Sequence, residues 1–345
     1  MNKISLFQNA RNWEQIREQV WDLLGKDHQL GMAQNSLLVQ QLESRLATTF
    51  NRKHCVTTAS CTDALIIAIW CLHLPPQSKI AVSTYTFTAT AHAIVRAGHI
   101  PVAVDVVDNY CINVDQIKDC AAVVAVDIFG NMSNWEELTQ LGIPIICDAA
   151  QSLMSHNGTT WSVGQGIISC VSFAPSKPIS SWGSGGALFT DDDDIAAMSQ
   201  LLRLHGKKKN TDVSIAPGMN SMISSFEAAC ISVGLGLATQ WQRRRHEIAQ
   251  FLIAQSQHQC VLDTNLRAHD YSKLVFKSPQ RDNIINQCQQ QAIEVAVHYS
   301  RPVHRENLYT ANCPYADELS KQSFTVPNQH TLTDSEVEQI AKALQ

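Results

Sequence analysis

Four short segments carry residue types whose spacing could support chemistry at one place. Asp148-Ala149-Ala150-Gln151 follows Ile143 to Cys147, an apolar run that reads as a buried strand. An acid at such a strand end points into the crevice where parallel sheets bind ligands. A carboxylate there could keep a heteroaromatic nitrogen protonated, so that the ring withdraws electrons from a neighbouring carbanion. Gln151, further along the same turn, could donate a hydrogen bond to a ring hydroxyl. The second segment, Ser172-Phe173-Ala174-Pro175-Ser176-Lys177, places a lysine after a strand and ahead of Gly183-Ser184-Gly185-Gly186. A lysine that condenses with a carbonyl needs a site favouring its neutral form. Small neighbours let a ligand approach the backbone closely.

The third segment, Ala59-Ser60-Cys61-Thr62-Asp63-Ala64-Leu65, is a strand end followed by a helix start with polar residues at the cap. Free backbone N–H groups and the helix dipole would face an anion there, and a phosphate would suit it. The fourth, Ser83-Thr84-Tyr85-Thr86-Phe87-Thr88-Ala89-Thr90, is another strand-to-helix turn in which Phe87 could stack on a flat ring. Each segment alone has a structural alternative. Asp148 could cap a turn, Lys177 could be a surface lysine, Ser60 a plain helix cap, and Phe87 a core aromatic. Together they match the needs of pyridoxal 5'-phosphate (PLP), which wants a lysine, a carboxylate beside its pyridine nitrogen and an anion cradle. The glycine cluster fits neither a dinucleotide fingerprint nor a phosphate-binding P-loop, which require other spacings.

The elements that must position these segments read as an α/β chain. Residues 12–25 and 36–50 form amphipathic helices, the second with Leu38, Leu42, Leu46 and Phe50 on one face. Strands follow at 54–58, 79–83, 101–106, 121–129 and 143–147, separated by helices at 63–72, 88–97 and 134–141. Strands this apolar, alternating with helices, predict a mostly parallel sheet covered on both faces. Further strands are expected at 168–173 and 186–190, a helix at 194–205, a polar loop at 207–218 and a long helix at about 224–254. The rest divides as a smaller α+β unit with strands near 273–276 and 294–298, a helix near 282–291 and a terminal helix after Thr333. The predicted boundary separates a large domain, 1–255, from a small one, 256–345.

Composition excludes several classes. Of 345 residues, 45% are hydrophobic and 17% charged, ordinary for a globular protein. A net charge of −5 argues against a general nucleic-acid binder. The basic runs at 207–209 and 243–245 are short and read as solvated surface. The 11 cysteines include no CxxC pair, and several lie in apolar runs, so buried thiols in a reducing compartment are expected rather than disulfides or a zinc site. The N-terminal segment lacks the apolar core of a signal peptide and no run is long enough to span a bilayer. A cytoplasmic location is therefore expected.

In this order and at these separations, the segments resemble the DegT/StrS-type sugar aminotransferases of PLP fold type I. That family's Ser-Gly-Thr-Asp-Ala-Leu loop appears as Ser60 to Leu65, its Asp-Ala-Ala-Gln/His segment as Asp148 to Gln151, and its Ser-Phe-x-x-x-Lys as Ser172 to Lys177. A Gly-Gly-Ala turn follows at Gly185 to Ala187. Arg203-Leu204-His205-Gly206, Gly218-Met219-Asn220, Ala228-Ala229 and Pro302-Val303-His304 match further family elements, and the likeness runs from about Gly31 to the C-terminus.

The resemblance implies an aspartate-aminotransferase-like fold, PLP as cofactor and no metal. It implies that Lys177 forms the Schiff base and shuttles the proton, Asp148 pairs with the pyridine nitrogen, Gln151 contacts the ring oxygen and Phe87 stacks on the ring. Cys61, Thr62 and Ser172 would hold the phosphate. Asn220 would reach the phosphate of a neighbouring subunit, which implies a homodimer with shared sites. The implied reaction passes an amino group from glutamate or another amino acid to a keto group on a nucleotide-linked sugar, in amino-sugar or polysaccharide biosynthesis. A cyclitol aminotransferase, or a paralogue that binds PLP without turnover, remains an alternative. In the dehydratase branch histidine replaces the lysine, so Lys177 speaks against that reading. The departures are Cys61 for Gly, Met222 for a frequent Arg, Asp127 for a frequent His and Ser184 for a frequent Glu. Cys61 would be strained if its site needs a positive φ.

Overall fold

The computed structural model describes residues 3–26, 36–208, 213–306, 309 and 311–345. Gly31, Lys209, residues 210–212 of the 207–218 loop and residues 307, 308 and 310 lie outside the described residues. Two helices open the chain, α1 (Asn9–Lys26) and α2 (Leu37–Thr49). The core is a seven-stranded sheet of β1 (His54–Thr58), β2 (Lys79–Ser83), β3 (Ile100–Val104), β4 (Ala122–Val126), β5 (Ile145–Asp148), β6 (Ile168–Ser172) and β7 (Gly186–Thr190). The spatial order is β1-β7-β6-β5-β4-β2-β3. All neighbours pair in parallel except β7, which runs antiparallel to both β6 and β1. The predicted mostly parallel sheet is thus the observed one.

Alternation along the strands explains the layers. Val123 and Ala125 of β4 join Cys147 and Phe189 in a core shared with α1, α2 and α7 (Ser225–Gln255). Ala122 and Val124 point the other way, with Ile146, Ile168 and Leu188. They meet α3 (Cys61–Cys71), α4 (Thr88–Arg96) and α6 (Asp193–Leu202) on that face. Helix α3 is apolar nearly all round because it is buried on all sides. Fully burying one such Val or Ile stabilises by about 1.5–3 kcal/mol. A short helix, α5 (Trp135–Gln140), lies between β4 and β5.

After α7, whose start carries a Ser224–Glu227 capping box, the chain builds a three-stranded antiparallel sheet. Its order is β10 (Ser323–Val326), β9 (Leu274–Lys277), β8 (Gln259–Cys260). Helices α8 (Arg281–Gln290), α9 (Pro314–Gln322) and α10 (Asp334–Ala343) pack with it. The chain's start joins this part: Ile4 bridges Ile293, the Leu6 N–H donates to Glu294 at 3.2 Å, and Arg11 pairs with Glu336 of α10 at 2.7 Å.

Several element boundaries differ from the sequence reading. The strand expected at 294–298 is not one. Its residues make only single bridges, Ile293 to Ile4 and Ala296 to Thr325, so the segment is extended without a continuous partner. The strand expected at 121–129 stops at Val126, because Ile128–Gly130 turn as a 3-10 helix with Phe129 at φ 61°. Helix α3 starts at Cys61, two residues before the predicted 63. Residues β8, α9 and β10 cover were not assigned from sequence.

Candidate active site

The topology brings the four segments to one edge of the large sheet. Strands β2, β4, β5 and β6 end there together, and the antiparallel β7 begins there. Register is specific: Asp148 pairs across from Val126 and Cys170, while Gly186 lies between Ser172 and Thr58. The end of β1, the Lys177 turn and Asp148 are therefore neighbours by strand order.

Lys177 sits part-buried in a tight turn closed by its own N–H to the Ala174 carbonyl at 2.9 Å. The base of that loop is tied down. The Ser181 hydroxyl donates to the carbonyls of Phe173 (3.0 Å) and Ser184 (2.9 Å), and the Phe173 N–H donates to the Gly185 carbonyl at 2.9 Å. Burial pushes the Lys177 amine below the ordinary lysine range, and nearby Cys61, Asp148 and Asp270 oppose this. A lysine that acts as a nucleophile needs that shift, since only its neutral form attacks.

Asp148 is 4% exposed. One oxygen accepts the Thr90 hydroxyl at 2.8 Å and the other the Ala150 N–H at 3.1 Å. Burial raises its carboxyl, while Thr90, Ala150 and Lys177 pull it back down. Each oxygen keeps a lone pair free for a cationic N–H such as a pyridinium. Gln151 is committed at both ends: its oxygen accepts the Phe129 N–H at 3.2 Å, and its amide donates to the Tyr299 hydroxyl at 3.0 Å. Phe87, at the cap of α4, is 56% exposed with its ring 6.1 Å from that of Tyr299. An aromatic left this bare at a site mouth has a face to offer a ring.

The expected anion cradle falls at the start of α3. The Ser60 hydroxyl accepts the Asp63 N–H at 3.1 Å and the Ser60 carbonyl accepts the Ala64 N–H at 3.0 Å. Among the described residues, the N–H groups of Cys61 and Thr62 have no acceptor, as the first turn of a helix dictates. Cys61 has helical, not positive, φ. The Gly-to-Cys departure therefore causes no backbone strain, and its thiol is pushed well up by burial. Gly186 is required here by close approach. A Cβ on it would stand 2.4 Å from both the Cys61 nitrogen and the Ser60 carbonyl carbon. Gly186→Ala is expected to displace the cradle at a cost of about 1–3 kcal/mol and to weaken PLP binding about tenfold or more, read by titrating apoprotein with PLP. Unchanged affinity would show that the cradle lies elsewhere.

Ser172 ends β6 half-buried, its hydroxyl accepting the Ala174 N–H at 3.3 Å. Asn220 is not brought into this group. It is exposed, its backbone bridges Leu204, and among the described residues its side chain meets none of the other candidates. Its neighbour Ser221 does reach the α3 start, donating to Asp63 at 2.8 Å.

Asp127, the departure from His, is a structural clasp. Its fully buried carboxylate accepts the Ser133 N–H (2.8 Å), the Trp135 indole N–H (3.2 Å) and the Ser162 hydroxyl (2.6 Å). Burial still pushes its carboxyl up to about 6. Asp127→Ala leaves those donors buried without an acceptor. It is expected to lower stability by about 3 kcal/mol, measurable by urea denaturation. A loss below about 0.5 kcal/mol would contradict the clasp.

Residues missed by sequence reasoning are Thr90, Tyr299, Asp270, Lys273 and His298. Thr90 lay within a highlighted segment, but its 2.8 Å hydrogen bond to Asp148 joins residues far apart in sequence and needed the sheet to be seen. The others come from the C-terminal part, where no local pattern signals what faces the site.

A strand-end aspartate, a desolvated lysine after the next strand and an open helix start, on this sheet order, define a PLP-dependent enzyme of fold type I. The family model of the DegT/DnrJ/EryC1/StrS aminotransferase family matches residues 15–345. The chain belongs to that family and is a PLP-dependent aminotransferase. It is 27% identical over 343 residues to a pleiotropic regulatory protein of Geobacillus stearothermophilus, covering 92% of this chain and 91% of that one. It is also 27% identical over 323 residues to the UDP-2-acetamido-2-deoxy-3-oxo-D-glucuronate aminotransferase of Pseudomonas aeruginosa, covering 89% of each. A crystal structure of a DegT DnrJ EryC1 StrS aminotransferase from Brucella abortus superposes with TM-score 0.91 at 23% identity, covering 99% of this chain and 98% of that one. Among the described residues no helix is long and apolar enough to cross a membrane, and no cluster of three or more His, Cys, Asp or Glu could hold a metal ion.

Proposed function

We propose that this aminotransferase moves an amino group from an amino acid, glutamate foremost, to a keto group on a nucleotide-linked sugar. The observation that carries the reading is that Lys177, in the turn after β6, stands within electrostatic reach of Asp148 at the end of the adjacent β5, beside an open α3 start. The similarity to an enzyme named for a UDP-linked 3-oxo sugar supports the sugar part.

Bound PLP supplies an aldehyde that condenses with amines and a ring that withdraws electrons from the adjoining carbon. The chain's residues do the rest. The N–H groups of Cys61 and Thr62, with the Ser172 hydroxyl, would hold the phosphate at the positive end of α3. Asp148, fixed by Thr90 and Ala150, would pair with the pyridine nitrogen and keep its proton in place. Phe87, beside Tyr299, would stack on the ring, and Gln151, held by Tyr299, would contact the ring oxygen. Lys177 Nζ, whose charged form burial disfavours, would take the proton from the substrate carbon and return it, a role that general acid–base catalysis rewards with about 10²–10⁴-fold in rate. Donor and acceptor use the same site in turn, so the kinetics are ping-pong. The reading includes a cytoplasmic homodimer in which Asn220 faces the partner's phosphate cradle, consistent with its exposure here.

The test is to incubate the PLP-loaded protein with L-glutamate and UDP-linked 3-keto or 4-keto sugars. Formation of an amino-sugar nucleotide together with 2-oxoglutarate supports the reading. Turnover of keto-cyclitols but of no nucleotide sugar would overturn its sugar part.

A further inference from the structure

Lys273, immediately before β9, is 5% exposed. Among the described residues its ammonium makes no hydrogen bond and no ion pair. Its Nζ lies 4.9 Å from the centroid of the Phe7 ring, contributed by the chain's N-terminal segment. Asp270 does not serve as counter-ion. One of its oxygens accepts the Met154 N–H at 3.0 Å, and the other lies 3.9 Å from the Arg245 guanidinium. A buried ammonium with no anion against it is costly, and such groups are ordinarily paired.

Its surroundings place it at the active site. Lys273 stands within electrostatic reach of Lys177, and both lie within reach of Asp270 and His298. His298 turns its Nδ1 to the Thr325 hydroxyl at 2.9 Å, and burial pushes it down to about 3, so it stays neutral. The next residue, Tyr299, holds Gln151. Met154, which Asp270 grips, belongs to the same turn as Gln151. Two amines thus lie within electrostatic reach of each other and of His298, and only Lys177 has a task in cofactor chemistry.

We infer that Lys273 is a substrate-contacting residue whose ammonium receives a carboxylate of the substrate lying beside Lys177. This inference rests on the aminotransferase reading. A single ammonium backed by an aromatic ring suits a carboxylate, whereas a phosphate would call for several donors. Burial, with Lys177 adding to it and Asp270 opposing, brings the Lys273 amine down to about 7, and an arriving carboxylate restores its charge. Two sources carry that group: the amino donor, or an acceptor sugar that is a uronic acid.

The experiment compares PLP-loaded wild type, Lys273→Met and Lys273→Arg. The first arm follows the cofactor's visible band as L-glutamate is added. The second measures calorimetric binding of UDP-glucuronate and UDP-glucose, which differ at C6 by a carboxylate. If the donor's carboxylate is held, Lys273→Met raises half-saturation by glutamate about 10- to 100-fold with UDP-sugar binding unchanged. If the sugar acid is held, UDP-glucuronate loses that factor while UDP-glucose does not. In either case Lys273→Arg recovers most of the loss, which a packing role would not produce. Should Lys273→Met fail to fold, Lys273→Gln is read in the same way. A folded variant with unchanged response in both arms overturns the inference. A wild-type protein whose band ignores amino donors overturns the aminotransferase reading instead.

Discussion

Lys177→Ala is expected to lower transamination at least about 10²–10⁴-fold, the range that a positioned proton carrier alone contributes. The loss should be larger because the same Nζ is also the group that anchors the cofactor. The structure explains why no neighbour can substitute. The turn from Ala174 to Lys177 is closed by a backbone hydrogen bond, and Ser181 locks the loop base, so one side chain is aimed at the site from β6. Lys273, immediately before β9 of the C-terminal sheet, lacks Asp148 among its electrostatic neighbours. The variant should keep its fold, since Lys177 makes no side-chain hydrogen bond among the described residues. Circular dichroism and denaturation checks that. Activity within tenfold of wild type would contradict the assignment.

Asp148→Asn is expected to cost about 10²–10³-fold in turnover, corresponding to about 2.7–4 kcal/mol of lost electrostatic stabilisation. Asparagine preserves the shape and can still accept from Thr90, so the sheet edge should survive. It cannot carry the negative charge that holds a proton on the pyridine nitrogen. The effect therefore belongs in kcat more than in PLP affinity, because the phosphate cradle at α3 and the lysine remain. A variant with normal kcat and weak cofactor binding would show that Asp148 serves only to anchor.

The parts legible in sequence are those whose signal is local. Strand β4 is wholly apolar and β5 is apolar up to Asp148, both buried, so their identity and the strand-end position of Asp148 could be read directly. The capping serine at 60 and the strand beginning at Gly186 were readable for the same reason, although the turn expected at Gly185 to Ala187 is in fact the start of that strand. Glu294 to His298 misled because its composition suits a strand, while strand formation needs a neighbour along its whole length, and only isolated bridges are available. Helix α9 escaped because Pro314 opens it at the first turn, where proline is well suited but reads as a breaker. Tyr299, Asp270 and Lys273 were invisible as site residues. Each faces the sheet edge only because the C-terminal unit packs there, a tertiary fact with no periodicity to announce it. The strain suspected at Cys61 disappears for a related reason: its backbone is helical, and sequence alone does not give φ.

Whether Lys177 and Asp148 form a working PLP site is read from the visible absorption of the PLP-loaded protein before and after L-glutamate is added, in parallel with Lys177→Ala. The wild type is expected to show a cofactor band that bleaches with the amino donor, and the variant neither the same band nor the bleaching. A wild-type protein that shows no band with excess PLP, or a Lys177→Ala protein that bleaches as the wild type does, would contradict it.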